Sequence, residues 1–201
     1  MKKIGLMGGT FNPVHNAHLI MAEYAKEQYC LDYVIFMTSG NPPHKRDIDM
    51  PDASVRHEML CLALKEDKDF ISDDYEVKLS GYSYSVNTLK YLNEKYPDDD
   101  IYFIVGCDSL ADFPKWYKPD EILKLCTVLV YPRSNNTDIS EQINIIQNKY
   151  GGKIYSVNAP LVGISSTEIR ERIRSGKSIR HMIPENVFKY IEKNGLYMEK
   201  K

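Results

Sequence analysis

Two glycines and two histidines stand close together near the start of the chain, in Gly8-Gly9-Thr10-Phe11-Asn12-Pro13-Val14-His15-Asn16-Ala17-His18. The glycines let backbone N–H groups approach a bound anion closely, and a helix beginning at this point adds free N–H donors with a partial positive charge. The segment suits a phosphate. His15 and His18 are three apart, so on a helical first turn they share one face and reach the same bound group. Neutral or protonated, they donate to phosphate oxygens while charge builds up there. Two other readings fit the pair. It can be part of a metal site, although no third Cys, His or carboxylate lies at a recognisable spacing, or it can be two ordinary surface or core histidines.

A second segment, Gly163-Ile164-Ser165-Ser166-Thr167-Glu168-Ile169-Arg170, places Ser165 three residues before Glu168, the spacing of a capping box. That makes another helix start, with hydroxyls and free N–H groups facing outward, and Arg170 on its first turns can grip a phosphate through two nitrogens. Taken alone, such a segment also reads as a simple capped helix. Other nucleotide signatures are missing. The Gly-x-Gly-x-x-Gly of dinucleotide oxidoreductases is absent, and Gly176-Lys177-Ser178 is no P-loop, because Glu171 stands where its first glycine belongs and a helix precedes it.

The elements that must position these groups alternate between short apolar runs and longer amphipathic ones. This predicts an α/β fold: a Rossmann-like doubly wound parallel sheet with helices on both faces and two C-terminal helices. Strands are predicted at Ile4 to Met7, Val34 to Met37, Ile101 to Val105, Thr127 to Tyr131 and Ile154 to Val157, with Tyr75 to Leu79 as an alternating edge strand. The run Ile101 to Val105 is apolar throughout, the pattern of a central strand covered on both faces. Helices are predicted near 15–29, 53–66, 85–96, 140–149, 166–175 and 185–194, the last two closed by Gly176 and Gly195 as left-handed caps. Cys107 to Asp120 reads as an aromatic-rich loop. Thr38 to Pro43 hangs as a loop from a strand's carboxyl end, the edge where open α/β sheets bind ligands.

The chain has 201 residues, with 26 Lys+Arg against 28 Asp+Glu and a net charge of −2. That length predicts one domain, 1–201, with a C-terminal helical segment at about 164–197. With 43% hydrophobic and 27% charged residues the composition excludes disordered and collagen-like classes. Near-neutral charge gives no reason to bind a polyanion or a membrane surface, so any phosphate recognition is local. No apolar run approaches the roughly 18 residues of a membrane span, and none follows Met1-Lys2-Lys3 as a secretory signal would require. A cytoplasmic protein is expected. Cys30, Cys61, Cys107 and Cys126 lack zinc or redox spacing and are expected to be buried free thiols.

Taken together, the first motif, Pro42-Pro43-His44-Lys45, Gly106-Cys107-Asp108, Trp116-Tyr117 and Ile164-Ser165-Ser166-Thr167-x-Ile169-Arg170 resemble the bacterial nicotinate-nucleotide adenylyltransferases, from residue 3 to about 197. The His-x-x-His and Ile-Ser-Ser-Thr pair is shared across a nucleotidyltransferase superfamily. The Pro-Pro-His-Lys loop, the aromatic pair and the length point to the nicotinate family. Asn12 stands where that family usually has Asp, and Ala17 where it has Gly.

The resemblance implies joining of nicotinate mononucleotide to the AMP moiety of ATP, with release of pyrophosphate. By the same resemblance His15, His18 and Arg170 are catalytic. Gly8, Gly9, Thr10, Phe11, Gly106, Asp108, Ser165 and Ser166 join them around ATP, and Asn41, Lys45, Tyr84, Ser85, Trp116, Tyr117 and Arg133 take the pyridine nucleotide. No metal ligand is expected from the protein, since Mg²⁺ would be held mainly by substrate phosphates. The implied partners are ATP and nicotinate mononucleotide, with no nucleic acid and no membrane, and a homo-oligomer is left open. Alternatives are a sister enzyme adenylylating phosphopantetheine, whose family is shorter and lacks the Trp-Tyr pair, an amide-preferring nicotinamide mononucleotide adenylyltransferase, and a non-catalytic nucleotide sensor.

Overall fold

Six apolar runs pair side by side in the computed structural model, which describes residues 1–41, 50–132 and 139–198. The strands are β1 (Lys3–Gly9), β2 (Tyr33–Thr38), β3 (Phe70–Asp73), β4 (Asp100–Gly106), β5 (Thr127–Tyr131) and β6 (Lys153–Ser156). They lie in the order β3-β2-β1-β4-β5-β6, and every neighbouring pair is parallel. Parallel neighbours cannot be joined by tight turns, so crossovers are required. They are built from α1 (Asn16–Tyr29), α2 (Ala53–Leu64), α3 (Tyr75–Lys78), α4 (Ser85–Lys95), α5 (Cys107–Asp112), α6 (Pro119–Leu125) and α7 (Ser140–Tyr150). After β6 come α8 (Ser166–Arg174) and α9 (Glu185–Asn194).

Alternation along each strand divides the core into two layers. Val34 and Phe36 of β2 face a cluster with Ala22 and Ala25 of α1, Met59 and Leu60 of α2, Ile169 of α8 and Val187 and Ile191 of α9. Ile35 and Met37 face the opposite cluster, with Val86 and Leu89 of α4, Leu110 of α5, Ile122 of α6 and Ile143 of α7. Each such Val, Leu, Ile, Met or Phe side chain is worth about 1.5–3 kcal/mol when fully buried, so a one-residue register slip would forfeit both layers at once. On the first face α9 is also held to α2 by polar bonds: Tyr190 Oη donates to Glu58 Oε2 at 2.6 Å.

The strand order reverses direction between β1 and β4, and open sheets of this order bind ligands in the crevice above that point. β1 ends on Gly8-Gly9 and β4 on Gly106. Both glycine ends therefore reach the same edge.

Three expectations need correction. Tyr75 to Leu79 forms the helical turn α3, and the edge strand is Phe70–Asp73. Asp73 Oδ1 accepts from the Tyr75 N–H at 2.9 Å, an Asx turn that ends the strand before the alternating residues begin. Cys107 to Asp120 is largely helical rather than loop. It contains α5, a 3-10 turn at Phe113–Lys115, and the start of α6, where Pro119 takes the first helical position that suits its missing N–H. The cysteines are free, but Cys30 and Cys61 are exposed and only Cys107 is fully buried. Among the described residues, no helix is long and apolar enough to cross a membrane.

Candidate active site

At the carboxyl end of β1 the chain turns sharply into α1. Phe11 adopts a left-handed backbone with φ +47°, and the Asn12–Pro13 peptide is cis. The turn is held through its carbonyls. Ser39 N–H donates to Gly9 O at 2.8 Å, Arg56 Nη1 to Thr10 O at 2.5 Å, Arg170 Nη1 to Asn12 O at 2.9 Å, and Ser166 Oγ to Pro13 O at 2.9 Å. Committing carbonyls to cations and hydroxyls in this way leaves a turn whose remaining polarity favours an anion. A Cβ at Gly9 would stand 3.0 Å from the Phe11 ring, so glycine is needed for that ring to fold back beneath the turn.

His15 is the N-cap of α1 and His18 its third residue. Their rings stack with centroids 3.7 Å apart and an interplanar angle of 22°. His18 Nδ1 accepts from the His15 backbone N–H at 3.2 Å, so a neutral His18 carries its proton on Nε2. Phe11 sets its edge against His18 at 5.0 Å. His15 is only 5% exposed, and desolvation pushes its imidazole down to about 4, outweighing a backbone hydrogen bond that acts the other way. It is therefore neutral at pH 7 in the free protein. Its Nδ1 and the Oδ1 of neighbouring Asn12 are buried without a hydrogen-bond partner among the described residues.

The second motif lands on the first. Ser165 caps α8, its Oγ accepting from the Glu168 N–H at 3.1 Å. Ser166 and Arg170 make the contacts to Pro13 and Asn12 given above, across 153 and 158 residues of sequence. One expectation changes here: the Ser166 hydroxyl proton is spent on the Pro13 carbonyl rather than facing outward.

These groups line an open cleft of about 900 Å³, near the upper end for small-molecule sites. Gly8, Gly9, Thr10, Phe11, His15, His18, Ser165, Ser166 and Arg170 line it together with Gly106 and Asp108, the latter on the first turn of α5. Tyr84, Ser85, Trp116 and Tyr117 line it as well. Tyr84, the N-cap of α4, packs against Tyr117 at 4.8 Å, while half-buried Trp116 rests on Phe113 at 5.4 Å and Phe103 at 6.0 Å. Asn41 does not line the cleft, but its N–H donates to Ser83 Oγ and its carbonyl accepts from the Ser83 N–H, and Ser83 does line it. Lys45 and Arg133 lie outside the described residues. Ala17 is buried and small enough to border the cleft.

Polar residues that were not anticipated include Glu76 and Thr88, which line the cleft, and Arg56, which lies behind it. Glu76 is buried, and desolvation raises its carboxyl above the usual range, outweighing the Thr88 hydroxyl bond and the nearby polar groups of Ser83 and Gly40, which act the other way. The Thr88 Oγ1 bond is 2.5 Å long. Reading Tyr75 to Leu79 as a strand concealed Glu76; the Asp73-Asp74 pair ahead of it was the available signal. Among the described residues, no group of three or more His, Cys, Asp or Glu can hold a metal ion. The donor set of imidazole, hydroxyl and guanidinium suits phosphate oxygens, and a divalent ion fits it as part of a metal–triphosphate complex.

A crevice at the switch point of a parallel sheet, with an imidazole pair and a second capped helix docked onto one turn, defines an α/β protein of the nucleotidyltransferase class. The family described as Cytidylyltransferase-like matches residues 6–172. The chain is 42% identical over 200 residues to a Clostridium acetobutylicum protein named "Probable nicotinate-nucleotide adenylyltransferase", covering 98% of this chain and 100% of that one. It is 43% identical over 199 residues to a Caldicellulosiruptor saccharolyticus protein of the same name, with the same coverage. The chain belongs to the nicotinate-nucleotide adenylyltransferase family. Its fold is also that of Plasmodium falciparum nicotinic acid mononucleotide adenylyltransferase complexed with NaAD, at a TM-score of 0.82 and 20% identity over 98% of each chain.

Proposed function

We propose that this chain transfers the AMP moiety of ATP to nicotinate mononucleotide, forming nicotinate adenine dinucleotide and releasing pyrophosphate. The observation that supports it most is the docking of Ser166 and Arg170 onto the Asn12–Pro13 turn beside the stacked histidines, which gathers the anion-binding groups of two distant motifs in one cleft. The acceptor's phosphate is the nucleophile. A phosphate monoester is already ionised near neutral pH, so the protein need not supply a nucleophile or a strong base. What remains is alignment and charge neutralisation at the α-phosphate.

In this reading His18 Nε2–H and the Arg170 guanidinium donate to the triphosphate, and Thr10, Phe11, Ser165 and Ser166 frame it. His15 stands with them at the phosphates, its ring stacked on that of His18. Gly106 and Asp108 stand by the ribose. Mg²⁺ would enter on the triphosphate, held by phosphate oxygens and water, and neutralise charge on the leaving pyrophosphate. The pyridine ring would lie against Trp116, with its carboxylate toward backbone donors near Ser85 and Tyr117, and Tyr84 at its side. Asn41, Lys45 and Arg133 complete the acceptor end. The whole chain acts as one domain in this scheme, since residues 164–197 supply half of the triphosphate site.

The test is pyrophosphate release from ATP and Mg²⁺ with nicotinate mononucleotide, nicotinamide mononucleotide or phosphopantetheine as acceptor. Nicotinate mononucleotide is expected to be used fastest. A decisive preference for the amide, or for phosphopantetheine, would overturn the assignment.

A further inference from the structure

Arg56 is 1% exposed and does not line the cleft, yet its guanidinium binds carbonyls from three separate segments. Nε donates to Pro51 O at 3.0 Å, Nη1 to Thr10 O at 2.5 Å, and Nη2 to Ser39 O at 2.8 Å and Gly40 O at 3.2 Å. A buried cation is costly unless its donors are satisfied, and an apolar side chain would fill the same volume more cheaply. What an apolar residue cannot do is tie the turn after β1 to the loop after β2. The planar fork of a guanidinium suits that task because its donors are fixed relative to one another.

The loop it grips is also held from the opposite side. The Gly40 carbonyl lies on the buried cation, and the backbone of the same residue packs closely against the Glu76 carbonyl oxygen. A Cβ at Gly40 would approach the Glu76 carbonyl oxygen to 2.1 Å, which leaves that loop no room to slide. Thr10 borders the proposed triphosphate end, and Ser39 to Asn41 leads toward the proposed pyridine-nucleotide end.

Resting on the function proposed above, we infer that Arg56 is a positioning residue that couples the two substrate ends, so that ordering of the Thr10 turn by ATP prepares the 39–41 loop for the acceptor. Such coupling is reciprocal and is measured as a ratio of affinities. Nicotinate mononucleotide is titrated calorimetrically into the protein with and without a saturating non-hydrolysable ATP analogue. The wild type should bind the acceptor at least about fivefold more tightly when the analogue is present. Arg56→Lys, which keeps the charge but replaces the rigid five-donor fork with a single nitrogen, should bring that ratio within about twofold of one. A wild-type ratio of one, or an unchanged ratio in Arg56→Lys, would overturn the inference. Should Arg56→Lys not fold, wild-type hydrogen exchange decides: the Gly40 and Asn41 amides should slow when the analogue alone is added, and unchanged exchange there rejects the coupling. A wild-type protein that binds neither ligand would remove the functional reading itself, and this inference with it.

Discussion

His18 accepts a hydrogen bond from the His15 backbone N–H: its Nδ1 lies 3.2 Å from the His15 amide nitrogen while the two rings stack 3.7 Å apart. The amide of one residue thus fixes the tautomer and the plane of the other, leaving Nε2–H as a preorganised donor. The imidazole takes the place that Glu or Gln occupies in a capping box.

His18→Ala is expected to lower kcat at least about 100-fold, the scale of losing one preorganised donor to developing charge. Loss of the cap should cost only about 1 kcal/mol of stability. Steady-state pyrophosphate release together with thermal unfolding separates the two effects. Near-normal turnover in a folded variant would refute the role given to His18.

Burial holds the folded His15 at about 4, below the ordinary value of 6.5. Between those values the unfolded chain binds more protons than the folded one, so stability is fully present above pH 6.5 and is lost as pH falls toward 4. The loss attributable to His15 should reach up to about 3 kcal/mol. Urea unfolding at pH 7 and pH 4.5 should show the drop, and His15→Gln should remove much of it. An equal drop in both proteins would place its origin elsewhere.

The elements were largely legible because their signals are local. Ile101 to Val105 is an unbroken apolar and aromatic run, and within it every residue of β4 is buried except half-buried Tyr102. Gly176 and Gly195 take φ values of +66° and +59° at the ends of α8 and α9. What escaped depends on contacts remote in sequence. Tyr75, Val77 and Leu79 alternate as a strand would, yet the Asp73 side chain turns back on the Tyr75 amide and the Lys78 N–H bonds the Asp74 carbonyl, giving a helical turn instead. Arg56 reads as an ordinary helical cation, since nothing near it in sequence says that Thr10 and Gly40 will fold over it. The pairing of Ser166 with Pro13 is likewise a tertiary event.

Trp116→Ala should raise KM for nicotinate mononucleotide about tenfold or more, because stacking of a base on an aromatic ring is worth about 1–3 kcal/mol. KM for ATP should change little. Lost contacts with Phe103 and Phe113 should also lower Tm. A lower Tm with an unchanged acceptor KM would reduce Trp116 to a packing residue.

Thr88→Val removes the 2.5 Å donor to buried Glu76 while keeping shape. The expected cost is about 1–3 kcal/mol at pH 7, the penalty of leaving a buried acceptor underserved. Glu76 is already raised by desolvation and rises further without that donor. The deficit relative to wild type should therefore shrink as pH falls and the carboxyl protonates. A deficit that stays constant with pH would mean that Thr88 acts by packing rather than through Glu76.

Binding of a non-hydrolysable ATP analogue to wild type, His18→Ala, Arg170→Ala and the double variant, read by calorimetry, tests most directly whether the imidazole pair and the α8 start serve one triphosphate. Each single change should weaken binding at least about tenfold, and the double variant should lose less than the product of the two, as expected for groups that grip one ligand together. Wild-type affinity in either single variant would contradict the account.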